Sequence, residues 1–509
     1  MPFHGIILSD YSRPMHAGIK MLGQYKIANI LRSLGYNILV IESYSQMPKK
    51  DLFDILEKSI SSETLFLGHS STMYFGRVDK NSIYGPPQFF PGGNSGEELF
   101  IDINKLSKRI NPNLQVLLGG AGSRVFMGFV NQFKNNFSVD FVMHGYSENM
   151  IVDFVGNLKN NQQHKFSDRV QGIRVIEYDY LGQSHDFRNH SLNSFSTADF
   201  VQPHEYLSLE IARGCIFKCK FCSYPLLGKA ISDLSYIRTE ENILSEILYN
   251  YENFKSQSYL IVDDTFNERN DKIEMMLRIR DRSKLDLNFV GYNRIELINS
   301  KNQYDLLKDL NFNGMFFGIE SFNYPSAKAI GKGIKSEKII ETLYKLKEKF
   351  NNKIAISAGF IIGLPYETRD TIANWTDLLF TDNFPIDNIS FSGLGIKKNE
   401  PWGKSEFGLN PEKYGYSLGV LNYWKNEHWD DYECFMIANE LNKKVYQSGR
   451  NKIGAFQLPV YGRIGLTFND VIGKRLIDGI EIETRLYEDY QKKYIAHLKQ
   501  SVGLQQPKK

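Results

Sequence analysis

The stretch from Ala212 to Pro225, ARGCIFKCKFCSYP, holds three of the four cysteines of this 509-residue chain. Cys215, Cys219 and Cys222 lie close together in it, whereas Cys434 lies far downstream. Three thiolates are one fewer than the four that saturate an iron–sulfur cluster or a structural zinc ion. A cluster bound by three cysteines keeps one metal position open, and catalysis requires an open position. The stretch therefore predicts a catalytic metal site with these three cysteines as ligands.

Two other interpretations of the cysteines stay open on the residues alone. One is a zinc knuckle that a distant histidine or Cys434 completes, although a zinc ribbon normally brings a second paired motif and the chain has none. The other is a buried loop that binds no metal.

The cysteine stretch lies at the start of a series in which strand and helix patterns alternate. Helical periodicity, as in residues 241–254 and 368–380, separates short apolar stretches. These strand candidates are residues 206–212, 258–264, 287–292, 314–320, 354–363 and 388–395. Six such units predict a partial or complete TIM-like (β/α) barrel over residues 205–396, with catalytic residues at the carboxyl ends of the strands. The cysteines follow the first strand and therefore belong at that catalytic face.

A second alternating series precedes the barrel. Its strand candidates are residues 5–10, 37–42, 65–70, 115–120 and 139–145. Single helices between them imply right-handed crossovers and parallel pairing, so residues 1–160 are predicted to form a doubly wound domain of the Rossmann or flavodoxin-like kind. Its ligand crevice is expected at the carboxyl ends of the strands.

The remaining segments have weaker patterns. Residues 74–96 are rich in Gly, Pro and aromatic residues and predict a long loop. Residues 161–204 are predicted as a linker with a small hairpin. Residues 397–509 are predicted as a helical C-terminal region, with helices over 421–446 and 489–500.

Composition places few limits on function. The formal net charge is +3, so the chain as a whole does not select nucleic acid or an acidic membrane, and we see no nucleic-acid-binding signature. The sequence has no run of eighteen apolar residues, so it predicts no membrane-spanning helix. The first residues have too short an apolar core for a signal peptide. Few and clustered cysteines favour reduced thiols and a cytoplasmic location.

The Cys-x3-Cys-x2-Cys pattern, with Phe221 just before its last cysteine, resembles the signature of the radical SAM superfamily. This resemblance implies a [4Fe–4S] cluster on Cys215, Cys219 and Cys222, whose open iron binds the amino and carboxylate groups of S-adenosylmethionine (SAM). It also implies that an electron from the cluster cleaves the sulfonium, and that the resulting 5′-deoxyadenosyl radical abstracts hydrogen from a substrate. The protein positions the cofactors for this chemistry and excludes water from the site.

Four downstream stretches extend the resemblance: LIVDDTFN, GYNRIELI, GMFFGIESFN and GFIIGLPYET. They resemble blocks of the radical SAM subgroup that carries an N-terminal cobalamin (B12)-binding-type domain. The resemblance implies that the aspartates line the site, that the arginine, glutamate and serine approach the SAM ribose or carboxylate, and that the Gly-Leu-Pro turn lies against the adenine. Singly, each has a structural alternative, such as helix capping by an aspartate. The candidate cofactor-binding residues of the barrel are Phe221, Asp263, Asp264, Arg294, Glu320, Ser321, Gly363 and Pro365.

The first domain carries two further resemblances. VLLGGAGSRVF, with Gly119 and Gly120, matches the glycine turn of the subgroup, and DFVMHGYSENM resembles its Gly-Glu-Gly-Glu stretch. Glycines at strand ends let a flat macrocycle approach the backbone closely. Cobalamin domains that ligate cobalt often carry Asp-x-His-x-x-Gly after the first strand, but here His16 has the wrong spacing from Asp10 and Gly18. The residues therefore leave cobalamin binding open, without a cobalt–histidine bond.

Together these patterns predict a radical SAM enzyme that performs methylation or rearrangement on an unidentified substrate, with a reductase, flavodoxin or ferredoxin as electron donor. One alternative is an RNA methylthiotransferase-like enzyme, which usually needs a second cysteine set in its N-terminal domain; residues 1–200 contain no cysteine. Another alternative is a catalytically silent cobalamin or iron–sulfur binding module.

Overall fold

The computed structural model describes residues 2–10, 18–72, 94–132, 137–177, 186–224, 226–381, 383–396, 405–419 and 423–504. His16, most of the predicted loop 74–96 and residues 505–509 lie outside these ranges. The chain forms two compact units. The first comprises Met1–Asp186, Ser191–Val201 and Thr484–Lys509, and the second comprises Phe187–His190 and Gln202–Glu483. No helix of the described ranges is long and apolar enough to cross a membrane.

The first unit is built on a seven-stranded sheet in the order β2-β1-β3-β4-β5-β7-β6. All of its pairings are parallel except that of β6 with β7. Its strands are β1 (Gly5–Ser9), β2 (Ile38–Glu42), β3 (Phe66–Ser70), β4 (Gln115–Gly119), β5 (Phe141–His144), β6 (Asp168–Val170) and β7 (Ile173–Glu177). Its helices are α1 (Leu22–Ser33), α2 (Lys49–Ser59), α3 (Asn94–Ile110), α4 (Ser123–Gln132) and α5 (Glu148–Lys159), with a 3-10 turn at Tyr44–Gln46.

Strands β1, β2 and β5 are buried along their whole length, as expected for a parallel sheet covered by helices on both faces. The doubly wound fold is therefore confirmed, and its strand order is the flavodoxin-like one, with a topological switch point between β1 and β3. The sheet continues past the predicted boundary at residue 160. Strand β7, from the segment predicted as a linker, pairs with β5 because its buried Ile173 and Val175 extend the core.

The second unit is built on a six-stranded parallel sheet in chain order. Its strands are β8 (Leu207–Leu209), β9 (Ser258–Ile261), β10 (Asn288–Asn293), β11 (Phe312–Glu320), β12 (Ala355–Ile362) and β13 (Asn388–Gly393). The helices between them are α6 (Glu240–Phe254), α7 (Asn270–Ser283), α8 (Ile295–Ser300), α9 (Tyr304–Asp309), α10 (Tyr324–Ala329), α11 (Ser336–Lys349) and α12 (Arg369–Leu379). Within the described ranges β8 and β13 do not pair, so the predicted barrel is a partial one.

The C-terminal residues add a short strand pair and five helices among those described. The strands are β14 (Ser417–Leu418) and β15 (Trp424–Lys425), and the helices are α13 (Glu406–Leu409), α14 (Asp431–Gln447), α15 (Gln457–Arg463), α16 (Phe468–Val471) and α17 (Leu476–Ser501), with a 3-10 turn at Pro411–Tyr414. The predicted helix over 421–446 is wrong for the described residues 423–430. Asp430 caps α14 in a capping box with Glu433, and this fixes the start of the helix there.

Two asparagines bind the free edge of β13. The side-chain amide of Asn442 accepts a hydrogen bond from the Phe391 N–H (2.9 Å) and donates one to the Phe391 carbonyl (2.8 Å). Asn451 makes the same pair of bonds with Ile389, at 3.1 and 3.0 Å. Because these bonds satisfy backbone groups that a seventh strand would otherwise bind, they stabilise the sheet at six strands.

Candidate functional site

The three clustered cysteines lie in the loop that follows β8, at the carboxyl end of the sheet. We call residues 211–224 the cysteine loop. Cys215 is buried, Cys219 and Cys222 are partly exposed, and none forms a disulfide. The Cys222 N–H donates to the Cys219 carbonyl (3.0 Å), which keeps the last two cysteines in one tight turn. The Phe221 side chain between them is partly exposed.

The environment of Cys215 and Cys222 favours the neutral form of these two thiols until a metal binds. Burial raises the pKa of the Cys215 thiol. Burial also raises the pKa of Cys222 to about 12, and the negative charges of Cys219, Asp264 and Cys215 add to this effect. A metal ion reverses this balance because it binds the thiolate and displaces the proton. The chemistry of the three thiols therefore fits an iron–sulfur cluster.

No three His, Cys, Asp or Glu side chains of the described residues are grouped as they would be around one metal ion. A cubane cluster binds each cysteine through a different iron, so its ligands do not have to converge on a single ion.

Asp263 does not face an open crevice. Its carboxylate is buried and accepts hydrogen bonds from the N–H groups of Ile211 (2.8 Å) and Ala212 (2.9 Å), where the cysteine loop begins. The Lys272 ammonium lies 3.0 Å from the other carboxylate oxygen. The Asp263 carboxylate thus binds the backbone of the cysteine loop. The sequence resemblance predicted instead that Asp263 lines the site.

Asp264 differs from its neighbour because solvent reaches its side chain. The surrounding protein desolvates this carboxyl group, and the carboxylates of Asp263, Glu210 and Glu268 oppose its charge, so the pKa of Asp264 rises to about 7. Within the described ranges no side chain forms an ion pair or hydrogen bond with this carboxyl group. Asp264 is therefore available to a cationic ligand.

Arg294 lies against the cysteine loop. Its guanidinium donates to the Cys219 sulfur (3.1 Å) and lies over the Phe217 ring, 3.9 Å from the ring centroid. Glu296 accepts from the same guanidinium (2.6 Å), which fixes its orientation. Arg294 is buried and is therefore not a surface residue.

Glu320 and Ser321, at the end of β11, already have partners in the protein. The Glu320 carboxylate pairs with Lys332 (3.1 Å). The Ser321 hydroxyl donates to the buried Glu367 carboxylate (2.6 Å). The structure thus places both residues at the predicted strand end, but with their polar atoms bound to other side chains.

The turn after β12 is covered by residues from the C-terminal region. Gly363 has φ of +100°, and a Cβ there would lie 2.6 Å from the Cys434 sulfur and 2.8 Å from the Trp424 ring. The side of Gly363 that lacks a side chain therefore contacts protein, and Pro365 is buried with its carbonyl bound to Ser326. The contact of this turn's backbone with an adenine ring stays a prediction.

The two glycines predicted in the first unit have different surroundings. A Cβ at Gly120 would lie 2.7 Å from the Thr72 hydroxyl and 3.2 Å from the Ser71 nitrogen. The missing side chain of Gly120 therefore makes room for Ser71 and Thr72 of the same chain. A Cβ at Gly119 would meet nothing within 4 Å. Of the pair, only Gly119 leaves space for a ligand.

Sequence reasoning missed an aromatic surface beside the cysteine loop. Tyr292 is 41% exposed, and its ring contacts those of Phe456 (4.5 Å between centroids) and Phe316 (5.3 Å). Tyr292 and Arg294 are two residues apart in extended backbone, so they lie on one face, and Arg294 contacts Cys219. The sequence does place Tyr292 two residues before Arg294, but Phe456 joins the surface only through tertiary folding.

Comparison with known proteins agrees with this geometry. Residues 209–379, which contain the cysteine loop and strands β9 to β12, match the Radical SAM superfamily. The match covers about a third of the chain and agrees with the family that its motifs predicted. The match implies a [4Fe–4S] cluster and SAM as cofactors.

Two curated relatives share part of the sequence. An uncharacterized methyltransferase of Pyrococcus horikoshii is 27% identical over 305 residues, which cover 57% of this chain and 62% of the relative. An uncharacterized methyltransferase of Synechocystis sp. is 28% identical over 180 residues, 33% of this chain and 31% of the relative. The matches thus span less than two thirds of either relative.

Solved structures extend the similarity of fold. The radical SAM methyltransferase TsrM of Kitasatospora setae, solved with cobalamin and a [4Fe–4S] cluster, superposes with a TM-score of 0.58 at 13% identity, over 83% of this chain and 80% of TsrM. The cobalamin-dependent radical SAM enzyme OxsB, solved with aqua-cobalamin and SAM, gives a TM-score of 0.52 at 14% identity, over 89% of this chain and 62% of OxsB. At this identity the similarity establishes the fold.

Proposed function

We propose that this chain is a radical SAM methyltransferase that binds a [4Fe–4S] cluster through Cys215, Cys219 and Cys222. The proposal rests on three unpaired thiols in one loop, at the carboxyl end of β8, inside the segment that matches the superfamily. Both curated relatives carry the name methyltransferase, and so does TsrM, which supports methyl transfer as the outcome. A bound cluster supplies the electron that cleaves SAM, delivered by a flavodoxin- or ferredoxin-type donor.

The residues around the cysteine loop have distinct roles in this proposal. Arg294 holds the Cys219 sulfur in place and supplies positive charge beside an anionic cluster. Asp264, which has no side-chain partner among the described residues, binds a cationic group such as the ammonium or sulfonium of SAM. The exposed Tyr292 ring and its neighbours Phe316 and Phe456 give the substrate side an apolar surface from which water is displaced on binding.

The first prediction concerns the cluster. Anaerobic reconstitution with iron and sulfide should give a brown protein with about four irons per chain. Cys215→Ala, Cys219→Ala and Cys222→Ala should each abolish the absorbance of the cluster, because each cysteine binds a different iron and its loss leaves a second iron without a protein ligand. Cys434→Ala is the matched control and should keep the cluster, since Cys434 packs against Gly363.

Turnover separates an enzyme from a silent binding module. With reductant and SAM, the loaded protein should release 5′-deoxyadenosine or, where a methyl group is transferred, S-adenosylhomocysteine. A normal cluster in any of the three cysteine variants would contradict the ligand assignment. A fully loaded protein that consumes no SAM at any reductant potential would favour the binding module.

We propose further that the first unit binds cobalamin without a histidine ligand. Both enzymes of similar fold were solved with cobalamin, and Gly119 borders open space at the end of β4. His69 and His144 are buried and bound to Asn104 (2.8 Å) and Ser123 (2.9 Å), and burial lowers the pKa of each to about 4. Both imidazole rings are therefore packed and hydrogen-bonded inside the unit.

The second prediction tests this cofactor. Protein incubated with hydroxocobalamin should retain it through gel filtration, with a spectrum that lacks a nitrogen ligand from the protein. His16→Ala should leave this spectrum unchanged. Loss of all cobalamin from a protein whose first unit is folded would remove the cobalamin-dependent route and leave SAM as the one organic cofactor.

A further inference from the structure

We propose that Lys272 is a positioning residue that holds the cysteine loop in the shape that binds the cluster; this inference rests on the proposed function above. Lys272 lies in the first turn of α7 and is buried. It has no position in the sequence motifs of the site. Its ammonium contacts two carboxylates, those of Asp263 (3.0 Å) and Glu268 (3.3 Å), and we call these three residues the Lys272 cluster.

The Lys272 cluster binds the cysteine loop on both sides of Cys215. Asp263 accepts hydrogen bonds from the N–H groups of Ile211 and Ala212, before the cysteine. Glu268 accepts one from the Ile216 N–H (3.1 Å), directly after it. Two carboxylates on one cation therefore fix the backbone on each side of the first cluster ligand.

A third connection reaches the sulfur of Cys215. The Lys272 ammonium also donates to the Thr265 carbonyl (2.9 Å), and the Thr265 hydroxyl lies 3.5 Å from the Cys215 sulfur. The Tyr236 hydroxyl donates to Glu268 (3.0 Å), which fixes that carboxylate from the opposite direction. Every polar contact that the ammonium makes with the described residues thus leads to the cysteine loop or to residues bound to it.

Stability alone does not explain a lysine at this position. Burying three charged groups carries a large desolvation cost that apolar side chains would not have. A cation in the first turn of a helix is also opposed by the helix dipole. The two carboxylates are needed, however, to bind three backbone N–H groups, and they repel each other unless a cation lies between them. Lys272 satisfies this requirement, which connects its charge to the geometry of the loop.

A matched control for Lys272 lies at the other end of the same sheet. Asp387, just before β13, accepts a hydrogen bond from the N–H of Ile356 at the start of β12 (2.7 Å) and pairs with Lys347 (2.5 Å). Lys347 and Lys272 thus have the same chemistry, a largely buried ammonium on a carboxylate that binds backbone. Only the Lys272 cluster contacts the cysteine loop.

The experiment compares Lys272→Met, Lys272→Arg and Lys347→Met in the full chain, reconstituted with iron and sulfide. We would measure thermal midpoint, iron per folded chain, the rate of cluster loss to a chelator, and the reduction potential of the cluster. Both methionine variants should lower the thermal midpoint. Only Lys272→Met should speed cluster loss, by about tenfold or more, the usual effect of removing a partner of a metal ligand. Lys272→Arg keeps the charge and should restore part of the difference.

Glu268→Gln keeps the inference testable if Lys272→Met does not fold. This variant keeps an acceptor for the Ile216 N–H but loses its charge toward Lys272, so cluster loss should speed up and the potential should shift. Equal rates and potentials in wild type, Lys272→Met and Lys347→Met, or an unchanged Glu268→Gln, would overturn the role of Lys272. Failure of the wild type to bind any cluster would instead overturn the proposed function.

Discussion

The buried carboxyl group of Glu367, in the turn after β12, makes the stability of the fold depend on pH. Burial raises the pKa of Glu367 to about 7, although hydrogen bonds from Ser321, Leu364 and Gly363 oppose the rise. Because its pKa is higher in the folded state than in the unfolded state, the group stabilises the fold at low pH. That stability is lost as pH rises from about 4.5 to about 7.

The third prediction follows from this carboxyl group. Glu367→Gln should remove its share of the pH dependence, so the variant should gain stability relative to wild type between pH 5 and pH 8, by up to about 3 kcal/mol. Thermal unfolding at several pH values checks this. Glu412→Gln, at an exposed position of the same unit, is the control and should follow the wild type. Parallel curves for Glu367→Gln and wild type would contradict the assignment.

At the scale of the elements, the open sheet of the second unit depends on how its last strand ends. Asn442 on α14 and Asn451 after it bind the backbone of β13 at Phe391 and Ile389, two residues apart. These are the backbone groups of a strand that point outward from the sheet edge. The sequence alternation predicted six strands and left partial and complete barrels open, and the asparagines favour the partial form.

The fourth prediction tests this edge. Asn442→Ala leaves the Phe391 N–H and carbonyl without their partner and should cost about 1–3 kcal/mol of unfolding free energy. It also frees an edge that can pair with another chain, so the variant should form more oligomers in size-exclusion chromatography. Asn439→Ala, at an exposed position of the same helix, should have no such effect. Unchanged stability of Asn442→Ala would show that water replaces the amide.

At the scale of the whole molecule, the chain returns to its first unit at its end. The sequence predicted residues 397–509 as one helical region, but residues from Thr484 onward belong to the first unit. The Tyr494 hydroxyl accepts a hydrogen bond from the Glu42 N–H (2.8 Å), and Lys499 pairs with Asp51 (2.6 Å). Glu42 also pairs with the buried Lys20 (3.3 Å), so the end of β2 is bound by side chains from two distant parts of the chain.

The fifth prediction concerns this contact. Tyr494→Ala removes a buried ring and the acceptor of the Glu42 N–H, and hydrogen exchange over residues 38–46 should become faster. Loss of one large buried side chain of this kind costs about 3–5 kcal/mol. Tyr446→Ala, at a tyrosine that is 58% exposed, is the control and should not change exchange in β2. Equal exchange in both variants would show that the end of β2 is stable without Tyr494.

The sequence by itself determined the two alternating series, the parallel sheets and the three-cysteine loop, because periodicity and spacing are local properties. The family match confirms the resemblance that Cys215, Cys219 and Cys222 suggested. The roles of the individual cofactor-binding candidates, from Phe221 to Pro365, stay predictions.

Only the tertiary structure decided which partner each polar group has. Asp263 and Asp264 are adjacent in sequence, yet one binds the cysteine loop and the other is accessible to a ligand. Gly363 contacts Trp424 and Cys434, which lie about sixty and seventy residues further along the chain. Such contacts depend on the order of strands in the sheet and on the path of the C-terminal residues. Neither leaves a periodic signal in the sequence, because each contact joins single residues that are far apart along the chain.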